Sequence, residues 1–380
     1  MDLADIPVVD GHCHPFTAEH QHISELQLRD ILMFMQDGGS PAEALDTLTA
    51  HLFIRELAGL LGCTPEFAEV LRARNQAASG EYAVFVERLL AAARVTALLV
   101  DTGYPYWKHV RVDECAALVT RRQVREVFRV ESVFRARTSI YFDGPDLDFR
   151  TYVERYRAAC VAAVRERGCV AFKTVIAYRT GLAVRPVSEG EARAAYEGDA
   201  EADVAAQKVV RDYLFNVTAR LAAELGVPLT IHTGFTGLTK PWSYGDPTGL
   251  VQVLTEPEVR DTTFVLLHGG YPWGGAAGYM AAHHPNVFVD LSEVIPSTSI
   301  GIERHLEEVL EFAPLTKVML GSDGLAIPEL HWYGLVLAKR ALGNVFDRLV
   351  AGGVLRPEQT ERYAGLICHG TAERLYRLAA

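Results

Sequence analysis

Two histidines, His12 and His14, stand two positions apart at the end of the first apolar run of the chain. Residues two positions apart on a β-strand project to the same face. The two imidazoles can therefore bind one metal ion together while Cys13 points the other way. A His-x-His pair alone is more often incidental than a metal site, so its meaning depends on the residues that the fold brings beside it.

Four later apolar runs also end in residues that can bind a metal ion or move a proton. These residues are Lys173, His232, His268 and Asp323. If the runs are parallel strands of one barrel, their carboxyl ends meet at one face and bring the side chains together. Burying ionisable side chains is costly unless they are paired or bind an ion. A shared metal site explains why several of them occupy equivalent strand ends.

Eight short runs rich in Val, Leu, Ile and Phe alternate with stretches of helical periodicity, which indicates βα units around a parallel sheet. Eight parallel strands close most simply into a (β/α)8 TIM barrel, so we predict an α/β fold with one domain over residues 1–380. The connection at residues 16–94 is long and rich in helical patterns, and we expect a helical insertion there that forms a lid over the barrel mouth. The predicted strands are residues 6–10, 95–100, 124–133, 169–176, 228–231, 263–267, 287–291 and 317–320.

Composition narrows the class of protein. The chain has 380 residues, 49% of them hydrophobic, and a formal net charge of -11 at pH 7. This acidic balance argues against a nucleic-acid partner, and no apolar run reaches the length of a transmembrane helix. The first residues lack the features of a secretory signal, and the six cysteines form no CxxC pair. We therefore expect a cytoplasmic enzyme with reduced thiols and a small-molecule substrate, either a monomer or a homo-oligomer.

The order of the candidate ligands resembles the amidohydrolase superfamily in its form with a carboxylated lysine. That order is His-x-His on strand one, Lys on strand four, His on strands five and six, and Asp on strand eight. The sequence of residues 172–182, 231–235 and 321–324 is further similar to the amidohydrolase-2 branch. Within this branch the chain resembles the FluG-like group, whose members are sometimes fused to a glutamine-synthetase-like domain. The resemblance covers nearly the whole barrel.

This resemblance implies a centre of two divalent metal ions. One ion would be held by His12, His14 and Asp323. The other would be held by the histidines of strands five and six, and a carbamate on Lys173 would bridge the two ions. A deprotonated lysine adds carbon dioxide to form the carbamate, and the apolar neighbours of Lys173 favour the neutral amine. Zn2+ suits this imidazole-rich set best, with Mn2+, Fe2+ and Co2+ as the alternatives.

The predicted reaction is hydrolysis of an amide or ester of a small carboxylated compound, with C–N bonds favoured and γ-glutamyl amides first among them. Water between two such ions has a pKa near ~7, so a metal-bound hydroxide can attack the carbonyl at neutral pH. Asp323 would accept the proton of the water and pass it to the leaving group. Arg179 is a candidate to bind the substrate carboxylate, and Tyr104 and Trp107 are candidates to line the pocket.

The sequence leaves several alternatives open. Lys173 could instead form a structural ion pair with Asp323 or Asp101, or lie beside a single metal ion. His268 could act as a catalytic base rather than a metal ligand. The alternative activity is that of a metal-dependent decarboxylase, a lyase class that the amidohydrolase-2 branch also contains and that usually lacks the strand-four lysine. A non-catalytic metal-containing binding protein is the third alternative, since fold does not dictate function.

Overall fold

Eight parallel β-strands form a barrel in the computed structural model of the chain. The structure describes residues 1–34, 39–103, 111–134, 147–198, 203–237 and 240–378. Each strand pairs with the next one in chain order, so the predicted (β/α)8 TIM barrel is confirmed. The strands are β1 Val8–Cys13, β2 Val95–Asp101, β3 Gln123–Arg129, β4 Ala171–Thr174, β5 Leu229–His232, β6 Phe264–Leu267, β7 Val287–Asp290 and β8 Val318–Met319.

The barrel closes through the residues that follow β8. The Gly11 amide donates to the Leu320 carbonyl at 3.0 Å, and the Asp323 amide donates to the His12 carbonyl at 2.9 Å. Gly11 has to be glycine because a Cβ there would lie 2.7 Å from the Leu320 carbonyl oxygen. The chain after β8 therefore runs beside β1 and places Asp323 next to His12.

Helices surround the strands, and apolar side chains fill both the space between the two layers and the barrel interior. None of the helices in the described ranges is long and apolar enough to cross a membrane. The helices are α1 Glu25–Phe34, α2 Leu48–Leu61, α3 Phe67–Ala78, α4 Tyr82–Ala92, α5 Val112–Leu118, α6 Phe149–Arg165, α7 Glu189–Glu197, α8 Val204–Leu225, α9 Val251–Leu254, α10 Gly274–His283, α11 Val294–Ser297, α12 Ile302–Leu310, α13 Pro328–Ala351, α14 Pro357–Gly365 and α15 Thr371–Leu375.

Four helices, α1 to α4, occupy the long connection between β1 and β2. A buried ion pair ties them to the barrel: Arg74 of α3 contacts Glu329 of α13, with 2.5 Å between Nε and Oε1. The Thr49 hydroxyl of α2 donates to the Ser297 carbonyl of α11, which follows β7. The helices after β1 thus reach the loops at the carboxyl ends of the strands. Their role as a lid stays a prediction.

The predictions for β3 and β4 extend too far along the chain, to residues 133 and 176, whereas the strands end at Arg129 and Thr174. The reason at β4 is the Glu131 carboxylate, which accepts from the Thr174 hydroxyl at 2.7 Å and from the Val175 amide at 2.9 Å. The Glu131 carboxylate thus accepts the hydrogen bond of the Val175 amide, which a neighbouring strand would accept if β4 continued. The chain after β4 turns into a short 3-10 helix, Ile176–Tyr178.

Candidate metal centre

The two histidines at the end of β1 and Asp323 point at one position at the carboxyl end of the barrel. His12 Nε2 lies 3.2 Å and His14 Nε2 lies 3.5 Å from Oδ1 of Asp323. Burial, and after it the neighbouring Lys173, lower the pKa of His12 to about 4, so its imidazole is neutral at pH 7. Burial alone would raise the pKa of Asp323, but its contacts with His12 and His14 hold that pKa well below its usual range.

These three side chains fit a divalent metal ion. His14 Nδ1 lies 3.0 Å from the Asp101 carbonyl oxygen and can donate to it, so Nε2 is the nitrogen that faces Asp323. In the neutral ring this nitrogen carries the lone pair that a metal ion would bind. Ligands at ~2.0–2.1 Å from a tetrahedral zinc are roughly 3.3 Å apart from one another. The observed separations of 3.2 and 3.5 Å agree with that spacing.

A second pair of histidines lies beside the first pair. The ring centroids of His232 and His268 are 4.4 Å apart, and those of His268 and His12 are 5.4 Å apart. His232 Nε2 lies 2.5 Å from the Phe235 carbonyl oxygen, which leaves Nδ1 as the nitrogen with a lone pair. Burial lowers the pKa of both His232 and His268 well below the ordinary value. Both imidazoles are therefore neutral at pH 7 and able to bind a metal ion.

Lys173 of β4 lies next to this histidine cluster. Its Nζ is 3.3 Å from His12 Nε2, and its side chain is 1% exposed. Burial lowers the pKa of Lys173 to about 8. Asp101 is bound instead by Arg129, whose Nε and Nη2 lie 3.0 and 2.5 Å from Oδ2. Within the described part of the chain neither Asp101 nor Asp323 forms an ion pair with Lys173, which argues against the structural ion-pair alternative.

A buried hydrogen-bond network fixes the loop that carries Asp323. Asp10 of β1 accepts from the Ser322 amide at 2.8 Å and from the Ser322 hydroxyl at 2.6 Å. The Gly324 amide in turn donates to the Ser322 hydroxyl oxygen at 2.8 Å. Burial raises the pKa of Asp10 to about 8 in spite of these hydrogen bonds. The network ties the strand of His12 to the residues on either side of Asp323.

Glu293 also belongs to this cluster, although the sequence did not single it out. Its Oε2 lies 3.4 Å from His268 Nδ1. His268, Glu293 and Asp323 all have positive φ angles, of 66°, 58° and 50°. Residues other than glycine rarely adopt positive φ angles. Backbone strain of this kind tends to occur at functional sites. Its position shortly after β7 is the feature of the sequence that could have identified Glu293. The same rule, that residues just after a barrel strand belong to the site, identified His268 and Asp323.

A small pocket lies beside Asp323 at the metal-site end of the barrel. Its lining combines carboxylates of the cluster with apolar residues of α11, of the loop after β8 and of α13. The lining residues are Glu293, Pro296, Ser297, Ser322, Asp323, Leu325 and Leu330.

Of the three predicted substrate contacts, Arg179 lies within the described ranges. It directly follows the 3-10 helix Ile176–Tyr178 and is half-buried. The ring of Tyr178 lies against His232, with 4.3 Å between centroids, so Arg179 is on a loop at the metal-site end of the barrel. Its binding to a substrate stays a prediction. The other two predicted contacts, Tyr104 and Trp107, lie outside the described residues.

The sequence matches the model of a family described as Amidohydrolase over residues 9–378. It is also 28% identical to the protein fluG of Emericella nidulans over 402 aligned residues. That alignment covers 98% of this chain and 46% of the fungal protein, so the chain spans about half the length of that relative.

Solved structures of other proteins share the fold. A protein from Lactobacillus casei described as a metal-dependent hydrolase is 24% identical, with a TM-score of 0.84 over 100% of this chain and 99% of that chain. A uronate isomerase from Thermotoga maritima is 15% identical, with a TM-score of 0.66 over 98% of this chain and 95% of that chain. At these identities the likeness concerns the barrel and does not extend to the reaction.

Proposed function

This chain belongs to the amidohydrolase family of metal-dependent enzymes, and on that premise we propose that it hydrolyses an amide or ester bond of a small carboxylated substrate. The observation that carries the proposal is the convergence of His12, His14 and Asp323, with nitrogen–oxygen separations of 3.2 and 3.5 Å. Two divalent ions, Zn2+ by preference, complete the proposed centre together with a carbamate on Lys173. C–N bonds are the preferred target.

The proposed roles follow from where each side chain lies. When bound, the two ions would supply hydroxide at neutral pH and polarise the substrate carbonyl. His12, His14 and Asp323 would hold one ion, and the histidines of β5 and β6 the other. Asp323 also lines the cavity, where its ionised carboxylate can accept a proton and return it to the leaving group. Its low pKa keeps the carboxylate ionised at pH 7.

The environment of Lys173 supports the proposed carbamate. Carbon dioxide adds to a neutral amine, and the lowered pKa, about 8, increases the neutral fraction near pH 7. A positive ammonium beside His12 would oppose metal binding, whereas a carbamate would bring a negative charge to the same place. Lys173 is 1% exposed, so the modified side chain would be held by its surroundings.

Within this class we propose γ-glutamyl-type amides as the first substrates to examine, because the chain is similar to a FluG protein. Arg179 is the proposed partner of the substrate carboxylate, since a guanidinium can bind a carboxylate through two hydrogen bonds. Tyr104 and Trp107 are the proposed aromatic walls of the pocket.

A substrate panel tests the proposed function. Zinc-loaded protein is assayed against γ-glutamyl amides, N-acyl amino acids, aryl esters and aromatic carboxylic acids. We expect hydrolysis of at least one amide or ester, lost on chelation and restored by Zn2+. Decarboxylation of an aromatic acid without any hydrolysis would support the lyase alternative instead. Bound metal without turnover of any compound would support a binding protein.

A further inference from the structure

The ring of His268 is oriented by two oxygen atoms that follow β7. Its Nδ1 lies 3.1 Å from the Ser292 hydroxyl oxygen and 3.4 Å from Oε2 of Glu293. An ionised carboxylate only accepts hydrogen bonds, so a proton on Nδ1 is the arrangement that satisfies Glu293. In the neutral ring the lone pair is then on Nε2, at the opposite edge.

The surroundings of His268 are those of a metal ligand. The ligating atoms of His12, His268 and Asp323 lie within 4.8 Å of one another. The ring of His232 is 4.4 Å away, and His268 itself is 1% exposed. A lone pair on Nε2 would therefore have a metal ion as its partner. The ligating atoms of Glu293, His232 and His268 also lie within 4.8 Å of one another. Direct binding of the ion by Glu293 is therefore the competing arrangement.

The backbone holds Glu293 in a strained turn. The Val294 amide donates to the Ser292 carbonyl at 2.6 Å, and Glu293 between them has φ 58° and ψ -53°. These values define the positive-φ form of the γ-turn, which is rare and strained. Strain of this kind persists where the surrounding structure determines the conformation. Here the turn places the Glu293 carboxylate beside His268 and at the wall of the cavity.

We propose that Glu293 is a positioning residue for the metal centre. Its carboxylate, together with the Ser292 hydroxyl, accepts the Nδ1 proton of His268 and so commits His268 to bind an ion through Nε2. The inference rests on the metal centre of the proposed function, and it assigns His268 as a ligand and not as the catalytic base. Removing a carboxylate that holds a metal-bound histidine in this way typically weakens metal binding ~10–100-fold.

Metal titration of three variants tests this role without any assay of activity. Zn2+ affinity is measured by competition with a chromogenic chelator. We expect Glu293→Ala to weaken one ion ~10–100-fold. Glu293→Gln keeps a hydrogen-bond acceptor and should retain most of the affinity, and the exposed control Glu361→Ala should match the wild type. Wild-type affinity in Glu293→Ala would contradict the proposal. So would an equal loss in Glu293→Gln, because its amide oxygen can still accept the Nδ1 hydrogen bond of His268.

An anomalous-scattering crystal structure of the zinc-loaded wild-type protein tests the atoms involved. We expect Nε2 of His268 at ~2.0–2.1 Å from a zinc peak, with Glu293 beyond bonding distance. A peak bonded to His268 Nδ1 or to a Glu293 oxygen would overturn this inference and leave the proposed function intact. A peak at His12 and His14 with none at His268 would overturn both the inference and the two-metal form of the proposed function.

Discussion

Lys173 is buried on β4 with its amine 3.3 Å from His12 Nε2. If a carbamate there binds the ions, Lys173→Ala should lose metal and activity. Acetate, propionate or added bicarbonate should partly restore both, because the truncated side chain leaves room for a carboxylate and two oxygens are what the ions need. Metal content by elemental analysis and the rate on the best substrate of the panel give the readouts.

Lys173→Arg is the matched variant for this prediction. Arginine keeps the positive charge and most of the length but remains protonated, so it cannot form a carbamate. We expect it to be as inactive as Lys173→Ala and not to respond to short carboxylates. A fully active arginine variant, or an alanine variant that keeps both ions and full activity, would show that Lys173 acts without being carboxylated.

Asp323 has two proposed tasks, binding one ion and moving a proton. Asp323→Asn should keep substantial metal, because the amide oxygen can still approach a cation, but it cannot accept a proton at neutral pH. We therefore expect a loss in kcat of at least ~10²-fold, the range of general acid–base catalysis. The exposed control Asp261→Asn should leave the rate unchanged. A near wild-type rate with metal bound would make Asp323 a ligand only and leave proton transfer to another group, His268 first.

The side chains of the site could be predicted from sequence to different degrees. His12 and His14 lie at the end of β1 and Asp323 lies in the loop just after β8, so a position rule was enough to bring them together. Glu293 lies at a similar place after β7, but its carboxylate reaches His268 only through a positive-φ turn. No local residue preference predicts such a turn at a glutamate, since it depends on the packing around it. The pairing of Asp101 with Arg129 likewise depends on the register of neighbouring strands.

The contact between the helices after β1 and the barrel gives a prediction at the level of elements. Arg74 and Glu329 are 1% and 0% exposed, so removing one partner leaves the other charge buried. Glu329→Gln should lower the free energy of unfolding by ~3–5 kcal/mol, measured by urea denaturation. The control Glu303→Gln breaks a partly exposed pair with Arg348 and should cost at most ~1 kcal/mol. Equal losses in the two variants would mean that burial does not strengthen the Arg74–Glu329 contact.

The strands were predictable because each is a short run of apolar residues between turns, and all eight lie where the sequence placed them. Their ends were less predictable. The sequence pattern continues past β3 and β4, but the Glu131 side chain, which lies far from β4 in sequence, accepts the hydrogen bond at which β4 stops. A tertiary contact of that kind has no signature in the pattern of apolar residues.

At the scale of the whole molecule, the proposed ligands come from β1, β4, β5, β6 and the loop after β8, so bound ions would join strands from around the barrel. An ion that binds the folded state alone stabilises it by about 2.7 kcal/mol when its free concentration is 100 times Kd. We therefore expect chelation to lower the thermal unfolding midpoint and Zn2+ to restore it. An unchanged midpoint after verified metal removal would show that the ions do not link these strands.

The number of metal ions per chain tests the central claim most directly. More side chains converge at the barrel mouth than the four ligands of one tetrahedral zinc, so the site should hold about two ions. The measurement is elemental analysis of protein purified without chelator, with chain concentration taken from amino-acid analysis. We predict about two divalent ions per wild-type chain. One ion or none would contradict the two-metal centre.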